Sequence, residues 1–205
     1  MKNILISALL IFGLGSALNA KNVDGSMLIK KDGVSYVKAQ KDVFTGNAYF
    51  FFEDGRTKKI VPYYQGKIDG RLTEWRSNGS IKTIAYFRKG KQDGEYIAKF
   101  SNNKKAIVAY FRDGLQDGEI VTWHENGRKK SMSYFRRNLQ DGEAKTWYSN
   151  GKKATEVYYV NGKKDGSYKK WHDNGRLAIK ALYSNGAIVG EAQAWDTDGN
   201  TIIKQ

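Results

Sequence analysis

The sequence predicts an all-β fold: an elongated, single-layer antiparallel meander of about seven 24-residue β-hairpins, twisted into a ribbon. Three observations predict it. Gly46, Gly70, Gly94, Gly118, Gly142, Gly166 and Gly190 stand 24 residues apart with no insertion or deletion between them. A unit of that length cannot close a core alone and must bury its apolar surface against its neighbours. Within the copies an Asp-Gly or Asn-Gly pair separates two runs of mixed alternation, at Asp54-Gly55, Asn78-Gly79, Asn126-Gly127, Asn150-Gly151, Asn174-Gly175 and Asp198-Gly199. Such a pair is the strongest short hairpin signal. Aromatic residues reach 13% and Pro62 is the single proline. That suits strands, where rings pack well and proline would remove a ladder donor.

Residues 1–20 are of a different kind. Lys2 is followed by an apolar run from Ile4 to Leu14 and by Gly-Ser-Ala-Leu-Asn-Ala at 15–20. This is the layout of a secretory signal peptide, with cleavage after Ala20 or after Ala17. The run is short for a bilayer span. Export to the periplasm, the outer envelope or the medium is therefore expected. No cysteine is present, so neither disulfides nor a lipidated cysteine can contribute. Residues 21–43 are expected to form an N-terminal capping hairpin, turning at Asp32-Gly33 within Met27–Lys38. The repeats then fill residues 44–205, with copies at 46–69, 70–93, 94–117, 118–141, 142–165, 166–189 and 190–205.

The copy from Gly118 to Asp141 serves as the type. A type I′ turn at Asn126-Gly127 needs positive φ at both central residues and fixes the register. Trp123 then pairs with Lys130, Val121 with Met132 and Glu119 with Tyr134 on one face. Ile120, Thr122, His124, Lys129, Ser131, Ser133 and Phe135 take the other, with Gly118 opposite Phe135. An aromatic facing a strand glycine covers bare backbone, and the pairing recurs as Gly94 with Phe111 and Gly142 with Tyr159. Asn102-Asn103 replaces Asn-Gly in the third copy, a substitution that asparagine's tolerance of the left-handed region permits. Between hairpins, Gly90–Asp93, Gly114–Asp117 and Gly162–Asp165 read as connecting turns. One candidate binding surface follows: Trp75, Trp123, Trp147, Trp171 and Trp195 share a slot, and Tyr86, Tyr110, Tyr134 and Tyr158 form a second column on the same face. Phe51 fills that Trp slot in the first copy and Lys99 interrupts it in the third.

The pattern Asp-Gly-x(4)-Trp-x(2)-Asn-Gly, a Lys-rich strand, Tyr-Phe and Gly-x-x-Asp-Gly resembles the MORN-repeat variant family of bacteria (membrane occupation and recognition nexus). The resemblance runs from Phe44 to Gly199, and the lead-in through Val34, Tyr36 and Phe44-Thr45-Gly46 resembles that family's opening. It implies a hairpin ribbon without defined catalytic residues that binds lipid or protein or acts as a rigid spacer. Many members are labelled antitoxins of a YwqK-type toxin–antitoxin system, which would imply a partner toxin. Asn138, in place of the connecting-turn glycine, and the third copy depart from the pattern.

No catalytic constellation emerges. His124 and His172 occupy one slot two copies apart, about 19 Å at the usual strand spacing, too far to share a metal. Asp69, Asp93, Asp117, Asp141 and Asp165 recur in five successive copies, where like surroundings give no acid–base asymmetry; they are expected to bond turn amides. No metal, no cofactor and no enzymatic activity are expected. The charge of +14 falls to +13 with the loss of Lys2, and it concentrates in rows. Lys104-Lys105, Arg128-Lys129-Lys130 and Lys152-Lys153 follow successive turns, and Arg88, Arg112 and Arg136-Arg137 line the opposite ends of the strands. These rows are the candidate binding residues. In an exported protein they favour anionic lipid, an envelope or host surface, or an acidic protein over nucleic acid. An immunity- or antitoxin-like role and a purely structural envelope spacer are the alternative readings.

Overall fold

The computed structural model describes residues 21–38 and 42–204. The expected signal segment 1–20 lies outside the described residues. The strands in chain order are β1 (Lys21–Asp24), β2 (Leu28–Lys31), β3 (Val34–Val37), β4 (Gly46–Phe51), β5 (Thr57–Tyr64), β6 (Lys67–Ile68), β7 (Gly70–Trp75), β8 (Ile81–Arg88), β9 (Lys91–Lys99) and β10 (Lys105–Arg112). They continue as β11 (Leu115–Trp123), β12 (Lys129–Arg136), β13 (Leu139–Trp147), β14 (Lys153–Val160), β15 (Lys163–Trp171), β16 (Leu177–Ser184), β17 (Ala187–Ile188), β18 (Gln193–Trp195) and β19 (Thr201–Lys204).

From β4 onward successive strands pair antiparallel, except that β6 and β7 both pair with β5 and β17 and β18 both pair with β16, and 17 strands join into one open sheet. β1 closes the N-terminal edge by pairing parallel to β4. β2 and β3 form a separate hairpin over Asp32-Gly33. That hairpin is strapped on by hydrogen bonds from Ser35 N to Gly66 O and from Phe44 N to Ser35 O, at 2.8 and 3.0 Å. Val37, Phe44 and Ala48 form a small core there, packed by Val23, Leu28, Phe50 and Tyr63.

Alternation along the strands gives the sheet two faces. One buries Ala85, Ala109, Ala144, Val157 and Ala181. Beside them run Phe87, Phe111, Phe135, Tyr159 and Tyr183, with edge-to-face pairs Tyr96–Phe111 at 6.4 Å and Tyr168–Tyr183 at 5.8 Å. The centre of the other face follows the register Ile84–Ile97–Val108–Val121–Met132. There it changes character in a single step, to Lys145–Glu156–Lys169–Lys180.

Two expectations are corrected at the turns. The Asn-Gly turns are not type I′. Gly127 N donates to His124 O and His124 N donates to Arg128 O, at 2.8 and 2.9 Å, while only Gly127, at φ 91°, is left-handed. The loop therefore holds three residues, a type I turn closed by a left-handed glycine. The pairing changes with it: Trp123 lies opposite Lys129, not Lys130, and Thr122 opposite Ser131. Lys130 bulges out and restores the remaining register. Asparagine is used here for its side chain: Asn126 Oδ1 accepts from Arg128 N at 3.0 Å and Nδ2 donates to Ser149 O of the next turn at 2.8 Å. Asn103, at φ 65°, takes the left-handed position itself, as its tolerance of that region predicts.

The type I′ geometry sits at the other end of the hairpins. Lys89-Gly90, Asp113-Gly114, Arg137-Asn138, Asn161-Gly162 and Asn185-Gly186 all have positive φ at both residues. The connecting turns thus lie one or two residues earlier than expected, and residues 91–93, 115–117 and 163–165 already belong to strands. Asn138 does more than replace glycine, because its Oδ1 accepts from Gln116 N at 2.7 Å.

The periodic glycines mark bulges. Ala85 pairs with Tyr96 and Phe87 with Gln92, so Tyr86 alone faces Asp93, Gly94 and Glu95. Gly94 does pair with Phe111. Its lack of a side chain, however, answers to Tyr86: a Cβ on Gly94 would lie 3.1 Å from Tyr86 Cβ, at φ +114°.

Candidate functional site

The Asn-Gly edge is a chain of links from each repeat to the next. Asn102, Asn126, Asn150 and Asn174 donate through Nδ2 to carbonyls of the following turn, at 2.8 to 3.1 Å. The first basic residue after each turn does the same. Lys104 Nζ donates to Asn126 O at 3.1 Å, Arg128 Nη1 to Ser149 O at 3.3 Å and Lys152 Nζ to Asn174 O at 2.7 Å. Arg176, outside the predicted rows, follows suit on Thr197 O at 2.9 Å. Three of the eleven expected basic residues therefore hold turn carbonyls together, while keeping their charge at the surface.

One slot inward, the residue after Trp123, Trp147 and Trp171 reaches the carbonyl of the next residue in the tryptophan column. His124 Nε2 lies 2.9 Å from Trp147 O, His172 Nε2 lies 2.9 Å from Trp195 O, and Tyr148 Oη donates to Trp171 O at 2.6 Å. A carbonyl only accepts, so both histidines carry the proton on Nε2. No sequence signal marked this role, because it depends on a partner 23 residues ahead.

The remaining basic residues divide. Lys105 Nζ lies 6.0 Å from the Trp123 ring and Lys153 Nζ 5.0 Å from the Trp171 ring. Lys153 also pairs with Glu156 at 2.6 Å, which holds that carboxyl below the usual range. Arg88 pairs with Asp93 at 2.8 Å. Arg112 and Arg137 share a hollow of about 250 Å³ with Asp113 and Asp117. Lys129, Lys130 and Arg136 are exposed and, among the described residues, form no ion pair.

The aspartate column bonds turn amides, as expected, but those of the following connection. Asp69 accepts from Lys89 N at 2.9 Å, Asp93 from Asp113 N at 3.3 Å and Asp165 from Asn185 N at 3.0 Å. The amide bond is the main reason that Asp93 titrates below the ordinary carboxylate range.

Alternation sets the predicted aromatics on the face of Val121. The tryptophans, Trp75 through Trp195, are half-buried. Tyr86, Tyr110, Tyr134 and Tyr158 are exposed. Tyr110 and Tyr134 donate to Glu95 and Glu119 at 3.3 and 3.2 Å, and those negative charges raise both phenol pKa values. Among the described residues no cluster of three or more His, Asp or Glu side chains could hold a metal ion. No helix of the described residues is long and apolar enough to cross a membrane.

Residues 140–161 and 164–185 each match the family described as MORN repeat variant. The two segments contain β13 with β14 and β15 with β16, one hairpin apiece, and support a MORN-repeat family for this chain. No curated protein matches the chain.

Proposed function

We propose, from the premise of MORN-type repeats, that this chain is an exported, non-catalytic scaffold that holds an anionic surface by its basic rows. The observation that carries the reading is the unneutralised charge of the fourth copy. Lys129, Lys130 and Arg136 are exposed and have no carboxylate partner among the described residues, whereas Arg88 and Lys153 in equivalent rows do. Fixed like charges repel across strands, so a rigid ribbon that keeps them suits a partner of opposite sign. Each cation near an anionic surface contributes about 1 kcal/mol, so these three with Lys105 are enough for a reversible peripheral contact. The layout of residues 1–20 supports export, which sets an envelope or host surface ahead of nucleic acid.

The test is co-sedimentation with phosphatidylglycerol and phosphatidylcholine vesicles and with carboxylated and neutral beads, at low and high salt. Retention on the anionic partners alone, released by salt, is expected. Equal retention on neutral and anionic partners, insensitive to salt, would overturn the reading.

A further inference from the structure

The three-residue loops have a chemical result on the Trp-bearing face. They bring Lys99 opposite Lys105, Trp123 opposite Lys129 and Trp147 opposite Lys153. Lys105 also reaches the Trp123 ring from the other side, at 6.0 Å. Six consecutive strands, β9 to β14, thus carry Lys99, Lys105, Trp123, Lys129, Trp147 and Lys153 in one row. Adjacent strands are about 4.8 Å apart, so Lys105, Lys129 and Lys153 recur about every 9.6 Å with an indole between each.

Lys99 sharpens the pattern. Its slot holds tryptophan in the second copy and in the fourth to seventh, and among the described residues its Nζ meets only Asn103 Oδ1, at 3.3 Å. Two lysines directly across a ladder destabilise it, and no carboxylate pairs with either among the described residues. Of the four lysines, only Lys153 has a carboxylate partner among the described residues, Glu156. The third copy therefore gives up the usual ring for a second cation, opposite Lys105.

We propose that this row is a binding track for a linear acidic glycan. It rests on the reading of an anion-binding scaffold and narrows the anion to one class. An extended sugar chain with one acid group per disaccharide repeats its charge at about the distance that separates every second strand. Its sugar C–H faces suit the indoles that alternate with the lysines. Duplex DNA fits worse: each strand carries a phosphate about every 3.4 Å, so cations about 9.6 Å apart would leave most of the phosphates without a partner.

The test is titration of the purified protein with hyaluronan oligosaccharides, chosen because they carry one carboxylate per two sugars, followed by tryptophan fluorescence and calorimetry. Chitin oligosaccharides, duplex DNA and phosphatidylglycerol vesicles serve as comparisons. Hyaluronan is expected to bind with a fluorescence change and to weaken with salt, while the uncharged chitin chain does not bind. Lys129→Gln and Lys99→Trp should each weaken binding about fivefold. Lys99→Trp restores the residue of the other copies and so preserves the fold; Lys30→Gln, on the separate hairpin, should change nothing. Binding to vesicles without binding to hyaluronan would overturn the glycan track and leave the anion-binding scaffold standing. Tighter binding to DNA than to hyaluronan, or hyaluronan affinity unmoved by both row variants, would also overturn it. No binding to any anion would overturn both readings.

Discussion

Replacing Gly118 by alanine should be among the most damaging single changes in the ribbon. Two terms add. Gly118 has φ +123°, a conformation that side-chain-bearing residues hold at a cost of about 1–3 kcal/mol. A new Cβ would also stand 3.1 Å from Tyr110 Cβ, a contact to backbone-proximal carbon that cannot swing away. Overpacking of that kind costs about 1–3 kcal/mol, for a total of about 2–6 kcal/mol. Gly166 separates the terms, because it has φ +94° but its Cβ would meet Tyr158 Cβ only at 3.9 Å, an ordinary contact. Gly166→Ala should therefore lose the first term alone, about 1–3 kcal/mol. The assay is urea unfolding of both variants, with hydrogen exchange to locate the loss, since repeat arrays can unfold in parts. Equal destabilisation by the two variants would refute the packing argument. Losses below about 0.5 kcal/mol in both, the level of an ordinary surface change, would refute the strain argument as well.

Asn126→Ala removes both the Asx-turn bond and the link to Ser149 O, and should cost about 1–2 kcal/mol by thermal unfolding. Asn126→Asp retains an acceptor for Arg128 N and should cost less. Lys99→Trp should stabilise the fold by about 0.2–1 kcal/mol in urea unfolding, by ending the Lys99–Lys105 opposition, even as it weakens anion binding. The pH profile follows from direction alone. Asp93 and Glu156 titrate below their usual range when folded, so their contribution is present above the unfolded carboxylate pKa and is lost as pH falls through the lower folded values. Tyr110, Tyr134 and Lys145 titrate above theirs, so their contribution is present below the unfolded values near 10 and is lost as pH rises beyond them. A circular dichroism melting series should show a plateau between about pH 5 and 9, with losses at both extremes.

The architecture was legible because its signals are local and repeated. Gly118, Asn126-Gly127 and the alternation around Val121 suffice for the hairpin, and the pairs Gly118–Phe135 and Val121–Met132 occur as read. The turn type was not legible. Asn-Gly fits a type I′ turn and a three-residue loop equally well, and nothing in the local sequence decides between them: the same three-residue loop closes at Asp54-Gly55 and Asp198-Gly199, where an aspartate has no amide N–H to donate to another turn. The same one-residue difference decides the candidate site. A two-residue turn at Asn102-Asn103 would oppose Lys99 to Ala106, and only the longer loop opposes it to Lys105. For the same reason the rows of Lys104, Arg128 and Lys152 looked free in sequence, since their carbonyl partners lie 21 or 22 residues ahead.

The turn-to-turn links also set a length scale for folding. His124 to Trp147, Asn126 to Ser149 and Asp69 to Lys89 each join residues 20 to 23 apart, and each ladder joins neighbouring strands. Every closure is then about as long as one repeat, so adding copies lengthens the ribbon without lengthening any loop that must close. Assembly can start at any hairpin and zip outward in both directions. The best starting point is the stretch where Ile97, Val108 and Val121 stack across β9, β10 and β11, and the charged stretch from Lys145 onward should be the last to form and the first to open under pulling force.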